Sequence, residues 1–288
     1  MELLVVGAGE MGRWLADTLA PRLDSVAFAD RTAGAAEAAA REQTAVDSRA
    51  VALETGDAFD VVALAVPIPA VGGAVRSHAP NATGALVDVT GAMAPALTAM
   101  ERHAVSEYAS FHPLFAPPRA PGRVAYVPGE AGETVGRVRS GLGAAGNEVF
   151  ETTAADHDEA METVQAKAHA AVLAYALAGE SVDERFHTPV SSSLSELVET
   201  VTEGDARVYE DVQETFGGAD EVAQAAATVA ETVGDGESFA SVFERARDHV
   251  GGVTPRDATL DGGTVDGDEG APDETVPDET DGNGGEGS

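Results

Sequence analysis

The chain reads as an α/β protein with a doubly wound, mostly parallel sheet, followed by an all-helical second domain and a disordered acidic tail. Three observations carry that reading. Short β-rich runs alternate with helical patterns up to Thr152, and such alternation builds parallel sheets. From Ala154 to Val250 one helical pattern follows another with no convincing strand. From Val253 onward there are 11 acidic residues, many glycines and prolines and no aromatic residue. A segment of that kind buries too little apolar surface to offset its ordering entropy. The expected division is residues 1–152, 153–252 and 253–288.

Taken in order, Glu2–Val6 is the first strand. Met11–Leu19 is a helix, with Met11, Leu15 and Leu19 at four-residue spacing. Ser25–Ala29 is the second strand, and Gly34–Arg41 an alanine-rich helix. Asp60–Val66, DVVALAV, is an unbroken apolar run, as in a strand buried on both faces. Ala85–Val89, Tyr108–Phe111 and Val124–Val127 are further strands. In the second half a long helix spans Ala155–Ala178. Others lie near Ser192–Thr202, Ala206–Phe216, Asp220–Val233 and Ser238–Val250. Asp205 and Asp220 stand where N-caps belong.

Charge narrows the function. The chain carries 50 acidic residues against 17 basic ones, a formal net charge of −33, and Lys167 is its only lysine. A nucleic-acid partner would need a basic patch, and an acidic surface repels phosphate backbones. The acidic residues spread along the whole chain. That suits a protein built for high salt, where the Debye length shrinks to about 3 Å at 1 M. The composition resembles that of cytoplasmic proteins from salt-in halophilic archaea; a cation-binding or basic-partner role is the alternative. With no cysteine there is no disulfide framework and no thiolate chemistry. No apolar stretch approaches the ~20 residues of a membrane span, and the N-terminal run lacks a basic n-region and a cleavage-like site. A soluble cytoplasmic protein is expected, with no membrane or nucleic-acid partner and no metal site.

The stretch GAGEMG, residues 7 to 12, follows a strand and opens a helix. This context makes it a dinucleotide fingerprint on a Rossmann-type sheet. Gly7 permits the tight turn, Gly9 lets the backbone approach a pyrophosphate, and Gly12 lets helix pack closely on strand. Glu10 and Met11 complete the loop at the helix start, whose free N–H groups face the phosphates. The second strand ends in Asp30, placed to accept hydrogen bonds from ribose hydroxyls and to repel a 2′-phosphate. NAD is therefore expected. Arg31 beside it keeps NADP as the alternative, because an arginine pairs with a 2′-phosphate. Val66 and Pro67 close the next long strand at the carboxyl edge of the sheet, where ligands bind in open α/β folds.

Three more stretches stand out in order: VDVTGAMAPALTAM (87 to 100), FHPLFAP (111 to 117) and HDEAMETVQAKAHAAVLAYAL (157 to 177). Set between GxGxMG and the helical half, they resemble the prephenate dehydrogenase family over roughly residues 1–250. The resemblance implies a nucleotide-binding domain and a helical domain that pairs into a homodimer. It implies NAD(P)-dependent oxidative decarboxylation of prephenate to 4-hydroxyphenylpyruvate, a step toward tyrosine, or the matching reaction on arogenate. It makes His112 the catalytic histidine, and a neutral imidazole is suited to accept a hydroxyl proton near neutrality. It places His169, with Gln165 on the same helix face, at the substrate pocket, and Thr90 in the segment beside it.

The match departs from the family pattern at several positions. Family members often carry Ser and Lys where this chain has Gly91 and Met93, and arginines where it has Ser192 and Thr200. A dicarboxylate substrate still needs a cation, for which Arg119 and Arg123 are the nearest candidates in sequence to His112, followed by Arg185 and Arg207. His157 and Asp158 also read as a helix-start motif, with the acid favoured by the dipole. Two further functions compete. One is another GxGxMG oxidoreductase acting on imines or hydroxyacids; the hydroxyacid enzymes usually need a catalytic lysine in the helical half. The other is a catalytically silent NAD-binding sensor.

Overall fold

In the computed structural model, residues 1–103 and 107–251 are described. The acidic tail expected at 253–288 lies outside the described residues. The chain divides into two compact units, residues 1–231 and 232–288.

The first unit is built on one eight-stranded sheet. Its strands are β1 (Glu2–Val6), β2 (Ser25–Ala29), β3 (Asp47–Ala50), β4 (Phe59–Leu64), β5 (Ala82–Asp88), β6 (Glu107–Pro113), β7 (Arg123–Glu130) and β8 (Glu148–Glu151). Their order is β3-β2-β1-β4-β5-β6-β7-β8. All neighbours are parallel except β6 and β7. The first six strands follow the 3-2-1-4-5-6 order of dinucleotide-binding folds, whose direction reverses between β1 and β4. This is the Rossmann-type architecture expected from the sequence. β3 and β8 were not expected. They read DSRA and EVFE and bury no residue, so they lack the apolar run that betrays an interior strand. They close the two edges of the sheet, where short charged strands belong.

Period-two alternation sends successive residues to opposite faces of the sheet. On one face Leu3, Val5, Phe28, Val61, Val87 and Phe111 pack beneath α1 (Glu10–Leu19), α2 (Ala35–Glu42) and α5 (Glu133–Ala144). On the other, Leu4, Val6, Val62, Leu64 and Leu86 meet α3 (Val71–His78) and α4 (Met93–His103). Each such side chain, fully buried, contributes roughly 1.5–3 kcal/mol, so the sheet carries most of the apolar stabilisation of this unit.

The helical half begins at α6 (Ala154–Met161), whose N-cap Thr153 accepts from the Asp156 N–H. The expected long helix is continuous to Ala178, but Glu162–Lys167 is wound as a π-helix before α7 (Ala168–Ala178). Then come α8 (Pro189–Thr202), α9 (Ala206–Phe216) and α10 (Ala219–Glu231). Asp205 caps α9 as expected, accepting from the Arg207 N–H at 3.0 Å. Asp220 does not cap α10. The helix starts one residue earlier, so Asp220 sits inside its first turn and acts there on the helix dipole. After Ala166 the only buried hydrophobic residues among those described are Val201 and Val212. In the second unit, the described part is dominated by α11 (Gly236–Gly251), where Ser238 Oγ donates to Asp235 Oδ2 at 2.6 Å just ahead of the first turn. Among the described residues no helix is long and apolar enough to cross a membrane.

Candidate active site

At the carboxyl edge, between β1 and β4, the chain makes the turn that the glycines require. Gly7 has φ +102°, and a Cβ there would lie 2.1 Å from the Ala65 carbonyl oxygen. A Cβ on Gly12 would lie 2.0 Å from the Gly7 carbonyl oxygen and 2.9 Å from Val5 Cγ1. Gly9, the N-cap of α1, differs: a Cβ there would meet nothing within 4 Å. The space over the α1 N-terminus is therefore open, with Glu10 and Met11 at the helix start beneath it. Asp30 ends β2, and its Oδ2 accepts from the Ala8 N–H at 2.7 Å, its Oδ1 from the Thr32 N–H at 2.7 Å. Each oxygen keeps a further lone pair for a ligand. Arg31 and Pro67 are exposed and Val66 is half-buried, all at the ends of strands that border the crevice. A pyrophosphate over Gly9 and a ribose at Asp30 suit this cradle.

Across β4 and β5 lies His112, near the end of β6 and 7% exposed. Its Nδ1 is 2.9 Å from Nε2 of His157, which is itself 3% exposed. The two rings meet edge to face, with centroids 5.1 Å apart. His157 Nδ1 is 2.8 Å from Asp158 Oδ1. The helix-start role expected of Asp158 is taken by Thr153, the N-cap of α6. The Asp158 carboxylate accepts instead from the Met93 and Ala94 N–H groups, 3.0 and 3.1 Å away in the first turn of α4. The other ring nitrogen of His112 faces the segment after β5. A Cβ on Gly91 would lie 3.7 Å from His112 Nε2 and 3.4 Å from Ile68 Cδ1.

Burial pushes His112 down to about 3; the neighbouring His157 adds to the fall and Asp158 opposes it. His112 is thus neutral at physiological pH. Burial alone would raise Asp158, but hydrogen bonds from His157, Met93 and Ala94 outweigh it and hold the carboxyl below its ordinary range. A second buried carboxyl, Asp88, ends β5, and burial pushes it up to about 7. Thr90 stands beside it. Its hydroxyl is 2.5 Å from Asp88 Oδ2 and 3.2 Å from the Ala92 carbonyl oxygen, and its N–H donates to the same Oδ2 at 3.0 Å. Thr90 is therefore committed within a buried network.

The π-helical turn carries the next group. Gln213 of α9 donates its Nε2 to the Ala166 carbonyl at 2.7 Å. His169 meets Tyr209 of α9 edge to face at 4.8 Å. His169, expected from the sequence together with Gln165, thus faces Tyr209, while Gln213, four residues further along α9, holds the turn that carries Gln165. Gln165 Oε1, His169 Nδ1 and Gln213 Oε1 are buried with no hydrogen-bond partner among the described residues, and burial lowers His169. α9 packs on the turn Ile68–Ala70, which reaches the neighbourhood of Gly91 and His112. Lys167 Nζ is bound to Glu162 Oε1 at 2.6 Å.

Of the candidate cations, Arg119 follows β6 in the turn Pro117–Arg119, and its Nη2 donates to Thr200 Oγ1 at 3.4 Å. It makes no ion pair among the described residues. Arg123 is paired with Glu148 at 3.2 Å and Arg185 with Asp183 at 2.9 Å. Reading the sequence missed Tyr209, Gln213, Asp88 and the contact of the His157–Asp158 pair with His112. The adjacent His-Asp was its only visible signal.

No family model and no curated protein matches the chain. Solved structures do. The chain is similar to prephenate dehydrogenase from Aquifex aeolicus in complex with hydroxyphenyl propionate and NAD+, with 13% identity and TM-score 0.65 over 87% of this chain and 98% of that one. It is similar to Synechocystis arogenate dehydrogenase, with 19% identity and TM-score 0.54 over 88% of this chain and 99% of that one. It is also similar to a reductive aminase from Aspergillus terreus in complex with NADPH and ethyl-5-oxohexanoate, with 16% identity and TM-score 0.53 over 85% and 99%. The chain has the fold of these dehydrogenases.

Proposed function

We propose that this chain is an NAD(P)-dependent dehydrogenase that oxidatively decarboxylates prephenate to 4-hydroxyphenylpyruvate, with arogenate as the alternative substrate. One observation carries the reading: a neutral, buried imidazole at the carboxyl edge of the sheet with its Nε2 not taken by His157. The named ligands of the similar structures, NAD+ and NADPH, support the cofactor class.

Gly7, Gly9 and Gly12 shape the cradle, and the N–H groups of the α1 N-terminus hold the pyrophosphate. Asp30 holds the ribose hydroxyls, which favours NAD over NADP. When bound, the cofactor supplies the hydride acceptor. His112 Nε2 takes the proton of the substrate hydroxyl as the carbon bearing it is oxidised. The dienone so formed loses CO2 as its ring becomes aromatic, so a second acid or base is not required. Arg119, which makes no ion pair among the described residues and donates to Thr200, provides the cation for a substrate carboxylate. Gln165 and His169 line the substrate side with buried polar atoms left for a ligand. Because Lys167 is bound to Glu162, the lysine-dependent hydroxyacid chemistry is disfavoured.

Division into a nucleotide-binding part (1–152) and a helical part (153–252) goes with this reading, as does a homodimer through the helical part. α7, AHAAVLAYALA, is apolar apart from His169 and Tyr175, yet none of its residues is fully buried; a helix of that kind needs cover. Incubating the full chain in molar KCl with NAD or NADP and with prephenate, arogenate or simple hydroxyacids tests the function. Reduced cofactor should form with one of the two ring acids. Turnover of a hydroxyacid alone, or of none of them, would overturn the proposal.

A further inference from the structure

The Asp158 carboxylate is fixed from two sides, by the first turn of α4 and by His157. An ionised carboxylate has no proton to give. The 2.8 Å contact must therefore be an N–H donated by His157 Nδ1. A neutral imidazole protonated at Nδ1 has a bare Nε2. That atom lies 2.9 Å from His112 Nδ1 and accepts from it. His112 then carries its one proton on Nδ1, and its free lone pair is on Nε2, beside Gly91.

We infer that Asp158 and His157 are positioning residues that set the tautomer of His112 from two hydrogen bonds away and draw the accepted charge toward Asp158. The catalytic part of this inference rests on the dehydrogenase reading; the tautomer assignment does not. When His112 Nε2 takes a proton from a substrate hydroxyl, the oxygen keeps the bonding pair. The Nδ1 proton of His112 then passes to His157 Nε2. His112 ends neutral with its proton on Nε2, and His157 becomes an imidazolium that already donates to the Asp158 carboxylate. Burial opposes charge on His112 itself, so moving the charge next to a carboxylate makes the proton easier to accept. His157 and Asp158 are the groups that act electrostatically on His112. A carboxylate that holds a catalytic imidazole in one tautomer is a known device; here a second imidazole stands between them.

The full chain labelled with 15N-histidine reads the tautomers directly. It has seven histidines, and His112→Asn and His157→Gln assign the two that matter. At neutral pH both rings should be protonated on Nδ1 and bare on Nε2. In Asp158→Ala the Nδ1 proton of His157 loses its acceptor, so the preference for Nδ1 protonation should be lost in both rings and His112 should carry part of its proton on Nε2. Turnover of Asp158→Ala and of His157→Gln should fall by about 10²–10⁴-fold, with the KM for the cofactor unchanged. His112 protonated on Nε2 in the unaltered chain overturns the inference. So do unaltered tautomers in Asp158→Ala, or turnover within about threefold of the parent in both variants. Failure of the parent to use either ring acid defeats the dehydrogenase reading alone, and the spectra still decide the tautomers.

Discussion

His112 shows how one residue is specified by what surrounds it. A lone histidine before a proline has several uses. The strand pairing turns this one into the sheet face where α4 packs, and the His157–Asp158 pair takes one of its nitrogens. The strand and the loop were legible in the sequence because a Phe-His-Pro run ends there. The partners were not, because they come from 45 residues downstream in the chain. Asp88 makes a separate prediction at this scale. Its folded value of about 7 lies above its ordinary 3.8, so between those values the folded chain holds a proton the unfolded chain has released. The stability from this group is complete below about pH 4 and is lost as pH rises through about 7. Asp88→Asn keeps the shape without the charge. It should be more stable than the parent above neutrality by more than about 1 kcal/mol and flatten the dependence below it. Thermal melts at acidic and alkaline pH check this, and a parent that is the more stable of the two at alkaline pH contradicts it. For Arg119→Ala the expected change is in the KM for the ring acid, up about tenfold or more. Arg123→Ala should change little, because its exposed pair with Glu148 is worth at most about 1 kcal/mol.

At the scale of elements, the glycine loop and the interior strands were legible because their demands are local. A positive φ needs glycine, and a doubly buried strand needs an unbroken apolar run. β3 and β8 were hidden, since an edge strand with one wet face carries neither signal. The π-helical turn was hidden too. Met161, Gln165 and His169 keep an ordinary four-residue spacing on paper, and only α9 reveals the wider winding. The glycines separate folding from binding. Gly7→Ala should cost about 2 kcal/mol or more of stability through its φ and the Ala65 carbonyl. Gly9→Val meets open space and should melt like the parent, yet weaken NAD binding at least about tenfold, or ~1.4 kcal/mol. Melting curves beside calorimetric titration with NAD distinguish the two. A Gly9→Val protein that binds NAD like the parent would remove the pyrophosphate from that loop.

For the whole molecule, the net charge of −33 and the uncovered helices act in opposite directions. Charge keeps copies apart at low salt, whereas the apolar faces of the helical half favour association once salt screens that repulsion. Leu177 on α7 is 88% exposed and Phe186 72%. Light scattering in molar KCl should therefore find a dimer, and Leu177→Arg should shift it toward monomer; a parent that stays monomeric contradicts the pairing. Fold class was legible at this scale. The prediction of which surfaces pair was not, because it depends on three-dimensional packing that the pattern of one chain does not encode. The most direct test of the central claim is the rate of reduced-cofactor formation by the parent and by His112→Asn, with prephenate and with arogenate in molar KCl. The expected result is turnover of one ring acid by the parent and a loss of about 10²–10⁴-fold in the variant at unchanged NAD affinity. A variant within about threefold of an active parent would contradict the assignment of His112 as the base.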